Sequence, residues 1–445
     1  MAEVLTAGID IGTSSIKVVL AEPDGTVKAS SRVATPWHDG PAGVQADADE
    51  LADAAVFALR DVVRGTAADV AAVGVAGFAE SGVVVDGARA LAPILPWYAE
   101  FGVEEEAELR RDFGAEAFLA RTGQPIHRKL SIVKQRWLRK QLGQSVSPIR
   151  WLTVPEWVVM RLGGRPIPEL SLWSRTGLLR VDQPEVDQEL ASWSGMDVPA
   201  DTPQRAGHPC GIVTGLPELG GAVLTVAGHD HVCAAYGAGA IDDSVIFDSW
   251  GTGEALVRAQ SVRPDPVEAW RRGCSVSWHV AQDRWALMVG LSTGLILRRV
   301  LQLLGVDHEA RGDLDDRALK SAGVTTPRIE IGKDGRLDIL DVPADATAAG
   351  LWRAALVAVF DRVEGSVSEM ESGWGAVNEV MGCGGWLKST ALVRLKSERV
   401  HSFATSSRDE AAAVGAASLA MLAQLRAARV RQAGEVDGEV DMEGS

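Results

Sequence analysis

A chain of 445 residues with 46% hydrophobic content outgrows a single core, because cores stop growing at about 250–300 residues, so two large lobes are expected. Its 60 acidic against 44 basic residues give a net charge of −16, which repels the backbone of nucleic acid and excludes it as a partner. Phosphates must then be handled locally, by backbone amides and a metal. Cys210, Cys233, Cys274 and Cys383 show no Cys-x-x-Cys spacing and read as reduced thiols of a cytoplasmic protein. The N-terminus carries no basic segment with a following apolar stretch, and no apolar run approaches the roughly 20 residues of a membrane span, so no membrane is expected.

The opening, "GIDIGTSSIKVVLAEPDGTV" (8–27), sets Gly12, Thr13, Ser14 and Ser15 between two apolar strands. Such a loop presents backbone N–H and side-chain O–H donors together, which makes an anion cradle. A dinucleotide site needs Gly-x-Gly-x-x-Gly opening a helix, and here the chain returns at once as a strand. "DADELADAAVFALRDVV" (47–63) then has Leu51, Ala55, Leu59 and Val62 at helical spacing behind a capping Asp. A buried strand, "VAAVGVAGF", follows, and this order implies a sheet with helices packed on it. From Glu104 to Leu142 the pattern is charged and helical, which reads as an inserted substrate region rather than more sheet.

The second half repeats the opening in outline. "GAVLTVAGHDH" (221–231) is a strand ending in a polar loop, and "SVIFDSWGTGEALVRAQ" (244–260) is strand, Gly-Thr-Gly loop, strand. Asp10 precedes Gly12-Thr13 as Asp248 precedes Gly251-Thr252. Each loop alone reads equally as a β-turn, but the pair suits a duplicated ATPase clamping a nucleoside triphosphate between two lobes. A helix is expected from Thr347 to Gly373, with Leu351, Ala355, Val359, Val363 and Val367 on one face. In "VMGCGGWLKST" (380–390), Gly384 and Gly385 leave backbone bare for a flat ring. A last helix, Asp409 to about Arg429, has small residues at Ala413, Gly415, Ala416 and Ala417 that permit close packing. The acidic, Gly-rich tail from Ala433 to Ser445 reads as disordered.

These segments resemble the FGGY family of carbohydrate kinases, of actin/hexokinase-like (ribonuclease H-like) α/β fold, over nearly the whole chain. "IDIGTSSIK" is similar to its first phosphate motif, "AGHDHVCAA" to its catalytic loop, "DSWGTGEAL" to its second phosphate motif, "GCGGWLKS" to its adenosine motif and "EAAAVGAASLA" to its closing helix. The resemblance implies a sugar-binding lobe over 1–240 with a helical insertion at about 104–200, a nucleotide-binding lobe over 241–430 and an acidic tail over 431–445. It implies ATP and Mg2+ as cofactors, and Asp230 as the base that accepts the proton of the attacking hydroxyl. Asp10 would orient the magnesium through water. Thr13, Ser14 and Lys17, with Gly12, would face the phosphates from one lobe, and Gly251 and Thr252 from the other. Gly290, Gly294, Gly384, Gly385 and Ser389 would line the nucleoside pocket.

On the acceptor side the resemblance points to Glu80, Trp97, Asp230 and His231, with Ser171 and Arg175 as supports. A xylulose-like pentulose is the favoured small-molecule substrate, with tetritols, glycerol and aldonates as alternatives; a homodimer is left open. Three departures from the family pattern stand out. Ala99 and Phe101 replace an Asp and an Arg, and Trp386 replaces a third glycine. They motivate a second reading, a catalytically weak sugar or nucleotide sensor.

Overall fold

The computed structural model describes residues 4–440 apart from Ala42, Ala67, Glu100, Thr252, 144–148, 322–325 and 333–335, with the backbone alone described over 433–440. Strands β1 (Val4–Ile11), β2 (Ser15–Ala21) and β3 (Val27–Ala34) form an antiparallel meander. On the other side of β1, β4 (Asp69–Gly77) and β5 (Val223–His229) add in parallel, giving the order β5-β4-β1-β2-β3. Helix α1 (Ala48–Arg64) covers the sheet, with the Asp47 side chain accepting from the Asp49 and Glu50 amides and Leu51, Ala55, Leu59 and Val62 buried.

The second sheet holds β6 (Val245–Trp250), β7 (Glu254–Gln260), β8 (Ser275–Trp278), β9 (Trp285–Leu291), β10 (Glu379–Cys383) and β11 (Phe403–Thr405) in the order β8-β9-β7-β6-β10-β11. Apart from β8 it repeats the first. A central strand has antiparallel partners on one side and parallel ones on the other. The duplication expected from the two Gly-Thr loops is therefore a duplication of whole sheets. Short helix α2 (Asp230–Ala238) leaves β5, and α3 (Ala348–Trp374), capped by Thr347, buries Ala355, Val359, Val363 and Val367 as the spacing predicts. Helix α4 (Thr390–Ser397) follows β10.

Three expectations need correcting. The closing helix α5 (Ala411–Val440) follows the second sheet in sequence but packs on α2 and on β1, β4 and β5 of the first sheet. Small residues permit this: a Cβ on Gly8 would lie 1.9 Å from the Ala413 carbonyl oxygen, and one on Gly74 2.2 Å from that of Ala416. The same helix continues through 431–440, where a disordered tail was expected; 441–445 lie outside the described residues. Its segment Ala411–Gln432 is also long and apolar enough to cross a membrane, contrary to the sequence reading, yet half of it is buried. Its apolar composition is that of a helix wedged against a sheet and a second helix.

The insertion contains helices Val103–Phe113, Ala115–Thr122 and Ser131–Leu142, and also a strand, Arg150–Thr153, paired with Gly82–Asp86. Apolar Trp151 and Leu152 facing Val83 and Val84 outweigh the helical context. After this strand, buried Glu156 accepts from the Thr153 amide at 2.7 Å and from Trp173 Nε1 at 2.6 Å. Burial pushes its carboxyl up to about 8 against those hydrogen bonds, with Glu169 adding to the rise. The folded chain therefore holds a proton that the unfolded chain releases in the usual carboxylate range, and the stability this gives at low pH is lost as the pH rises through about 8. Glu156→Gln removes the titration. The stability advantage of wild type over this variant should fall by on the order of a few kcal/mol between pH 5 and pH 9, measured by urea unfolding of both proteins; a constant difference would remove the assignment.

Candidate active site

The C-terminal ends of β1, β4, β5, β6 and β10 carry the residues singled out in the sequence, as expected where strands of an open α/β sheet deliver a site. Asp10, near the end of β1, is 6% exposed, and its Oδ1 has no hydrogen-bond partner among the described residues. Burial pushes its carboxyl up to about 7, with Asp230 and Glu410 adding to the rise and Lys17 and Arg32 opposing it. A buried carboxylate with a vacant lone pair and a second carboxylate nearby fits a divalent cation, whose charge offsets the lost hydration.

Asp230 opens α2. Its Oδ1 accepts from the His231 amide at 2.7 Å and lies 3.2 Å from His229 Nε2. Burial holds the His229 ring well below its usual range, with His231 and Arg175 adding to the fall. The His229 amide donates to Ser171 Oγ at 2.9 Å, and that hydroxyl donates to Glu169 at 2.6 Å. Ser171 thus fixes the backbone that aims Asp230. His231 Nδ1 lies 3.0 Å from Ser249 Oγ on β6, so this ring ties the lobes together.

The first Gly-Thr loop is braced from behind. Gly12 donates to the Ser15 carbonyl at 3.1 Å, Thr35 Oγ1 donates to the Gly12 carbonyl at 2.7 Å, and Trp37 Nε1 donates to the Thr13 carbonyl at 2.6 Å. Ser14 lies in this loop, its carbonyl accepting from the Thr35 amide at 3.3 Å. Trp97 Nε1 donates to Thr13 Oγ1 at 3.0 Å. Lys17, expected to face phosphate, points beside Asp10 at 3.9 Å but pairs with Glu410 at 2.7 Å, at the start of α5. Arg32 pairs with the same glutamate. Sequence periodicity could not reveal Glu410, since it is brought in by the chain's end.

In the second lobe Gly251 donates to the Gly253 carbonyl at 3.0 Å, while Thr252 lies outside the described residues. Asp248 and Glu254 flank this loop, and Lys396 of α4 reaches them at 2.7 and 2.6 Å, all three fully buried. Burial raises Asp248 well above the carboxylate range, with Lys396 opposing and Glu254 adding to the rise. The matching acids of the two repeats have thus diverged: Asp10 keeps an oxygen without a partner among the described residues, and Asp248 is paired with Lys396. Neither Glu254 nor Lys396 carries a sequence signal of its own.

Among the nucleoside residues, a Cβ on Gly290 or Gly385 would meet nothing within 4 Å, while Gly384 has φ +122° and a Cβ there would lie 2.2 Å from the Trp250 carbonyl oxygen. Gly294 is buried in the helix after β9. Ser389 caps α4 and donates to Asp315 at 2.9 Å. Trp386 is 2% exposed, stacked on Trp250 at 6.0 Å between ring centroids, with the Arg311 guanidinium 5.0 Å over it. The extra ring belongs to the second-lobe core; Gly384 packs against the Trp250 backbone, and Gly385 keeps open space where a Cβ would stand. Phe101 is likewise accounted for by packing, its ring 5.0 Å from that of Trp137.

Glu80 has φ +59°, a left-handed conformation costly for its side chain. Its carboxylate accepts from Arg175 Nε at 2.7 Å and pairs with Nη2 of the same residue. Arg175 Nη1 continues to Gln124 Oε1 at 2.5 Å and Ser275 Oγ at 3.1 Å on β8. Glu80 is therefore no solvated rim residue but one end of a link from β4 to the second sheet. Glu80→Gln should lower kcat/KM for the acceptor by about 1.5–3 kcal/mol, the range for a charged hydrogen bond, with little change in the KM for ATP. Steady-state kinetics at saturating ATP checks this.

Two facing lobes of one duplicated fold, with a phosphate-type loop in each and two carboxylates between them, define a phosphotransferase-type ATPase architecture. Residues 5–202 match the family model "FGGY family of carbohydrate kinases, N-terminal domain". Over these residues the chain is similar to that family. It is 22% identical to the xylulose kinase of Staphylococcus xylosus over 94% of this chain and 90% of that protein. It is 25% identical to a glycerol kinase of Janthinobacterium sp. (strain Marseille) over 55% of this chain and 52% of that one, so it spans about half the length of this relative. A gluconate kinase structure from Lactobacillus acidophilus superposes with a TM-score of 0.82 at 17% identity, covering 95% of this chain and 89% of that chain.

Proposed function

We propose that the protein transfers the γ-phosphoryl group of ATP to a hydroxyl of a small sugar, polyol or aldonate held between the lobes. The observation that carries this is Asp230, held by the His231 amide and tied through the His231 ring to Ser249 of β6, with the buried Asp10 carboxylate near enough to feel its charge. As the acceptor oxygen bonds to the γ-phosphorus and the bond to the bridging oxygen breaks, the acceptor's proton passes to the Asp230 carboxylate. Gly12, Thr13 and Ser14 in one lobe, and Gly251 and Thr252 in the other, hold the phosphates. Gly290 and Gly385, with open space where a Cβ would stand, give the nucleoside a bare wall, with Ser389 setting the helix beside it.

A magnesium ion, held through Asp10, would neutralise charge on the phosphate oxygens. Among the described residues no group of three or more His, Cys, Asp or Glu gathers as a metal cage, which suits an ion that keeps water and phosphate as its other ligands. Closure of the lobes excludes water that would compete as acceptor. The test is a coupled ADP-release assay with a panel of pentuloses, polyols and aldonates. ADP release that requires both ATP and one acceptor class is expected. Release with no acceptor at all, or none whatever, would overturn the reading and favour a nucleotide or sugar sensor.

A further inference from the structure

Lys129 stands beside the acceptor site and belongs to none of the motifs. Its ammonium lies 5.0 Å over the ring of Trp97, the tryptophan whose Nε1 donates to Thr13 of the first phosphate loop. Its backbone is pinned, because buried Lys134 donates to the Lys129 carbonyl at 2.5 Å and to the Glu80 carbonyl at 3.1 Å. That contact sets Lys129 next to Glu80 and hence next to Arg175, whose charge is felt in turn by His229 beside Asp230.

Among the described residues the charges there do not balance. The Glu80 carboxylate is taken by Arg175. Lys134 spends its donors on the two carbonyls, and burial lowers it to about 7. Arg128 and His127 adjoin Lys129 in the chain and bring no negative charge. Among the described residues no carboxylate lies within ion-pair distance of Lys129 Nζ, although the residue keeps part of its surface exposed and the chain as a whole is acidic. Burial already lowers its pKa, with Glu80 opposing and Arg175 adding to the fall. Lobe closure over an acceptor would strip more water from this ammonium. An ammonium has three donors and no acceptor, so hydroxyls of a neutral polyol hydrate it in part but supply no countercharge, whereas a carboxylate supplies both.

We propose that Lys129 is a specificity-determining residue that makes this site select an acceptor bearing an anionic group, an open-chain sugar acid of the aldonate class, over the neutral pentulose or polyol of the same length. The inference rests on the kinase reading, and the assay separates the two. Gluconate and glucitol differ mainly in a carboxylate against a hydroxymethyl group, so the ratio of their kcat/KM values in the ADP-release assay isolates the charge. Wild type should favour gluconate, and the preference should shrink as salt is raised. Lys129→Met should reduce the gluconate-to-glucitol ratio by roughly tenfold to a hundredfold, the fold-change of a charged hydrogen bond. Lys129→Arg should retain most of the ratio. The residue is on the surface, and thermal melts of the variants check that they fold. Turnover of neutral acceptors with no preference for the acid, or a ratio that Lys129→Met leaves unchanged, overturns the role of Lys129 and leaves the kinase standing. No ADP release with any acceptor overturns the kinase reading itself.

Discussion

Asp230→Asn should lower kcat by at least about 10²–10⁴-fold, the contribution of a positioned general base, while ATP affinity measured by calorimetry stays near the wild-type value. The substitution is conservative in shape. The Oδ1 that accepts from the His231 amide and faces His229 Nε2 remains an acceptor in Asn, so the start of α2 should keep its geometry. What is lost is the capacity to take a proton. Because the carboxylate acts only as the acceptor hydroxyl is deprotonated, kcat and kcat/KM for the acceptor should fall together, the mark of an interaction made in the transition state. Turnover within a few-fold of wild type would remove Asp230 from the base role and shift attention to Asp10, whose carboxyl is pushed up to about 7 by burial.

Much of this architecture is legible in the sequence, because the signals are local. The Asp47 cap and the Leu51, Ala55, Leu59, Val62 face of α1, the apolar stripe of α3 and the two strand, loop, strand repeats each depend on residues within a few positions of one another. The small residues of α5 also announce close packing, but not against what. That the partner is the first sheet depends on Gly8 and Gly74, far away in the chain, and a helix following the second repeat reads naturally as part of it. The site divides in the same way. The carboxylates and glycines sit in recognisable loops, whereas Lys129, Glu410 and Lys396 act through contacts that only the folded chain makes. Trp386 shows the reverse: a bulky departure in a glycine motif motivates the sensor reading, yet the ring turns inward to stack on Trp250.

Lys396→Met should be the most destabilising single change among those considered, by about 3–5 kcal/mol, since it leaves the buried Asp248 and Glu254 without their cation. The three side chains are fully buried, at 2.7 and 2.6 Å from the ammonium, and the ammonium also lies 4.1 Å over the Trp250 ring. Combining Lys396→Met with Asp248→Asn and Glu254→Gln should recover most of that stability, because replacing a whole buried ionic group by neutral side chains costs far less than breaking it. The combined variant then exposes what the ionic group does beyond folding. Asp248 and Glu254 stand at the two feet of the Gly251–Gly253 loop, and Lys396 joins them to α4, whose first turn is capped by Ser389 of the segment that resembles the family's adenosine motif. If this joint holds the phosphate loop in register with the nucleoside wall, the stable combined variant should show a KM for ATP raised by about tenfold and a KM for the acceptor close to wild type. Urea unfolding and two-substrate kinetics on the same preparations measure both halves. A combined variant with wild-type stability and an unchanged KM for ATP would confine the buried group to the scaffold.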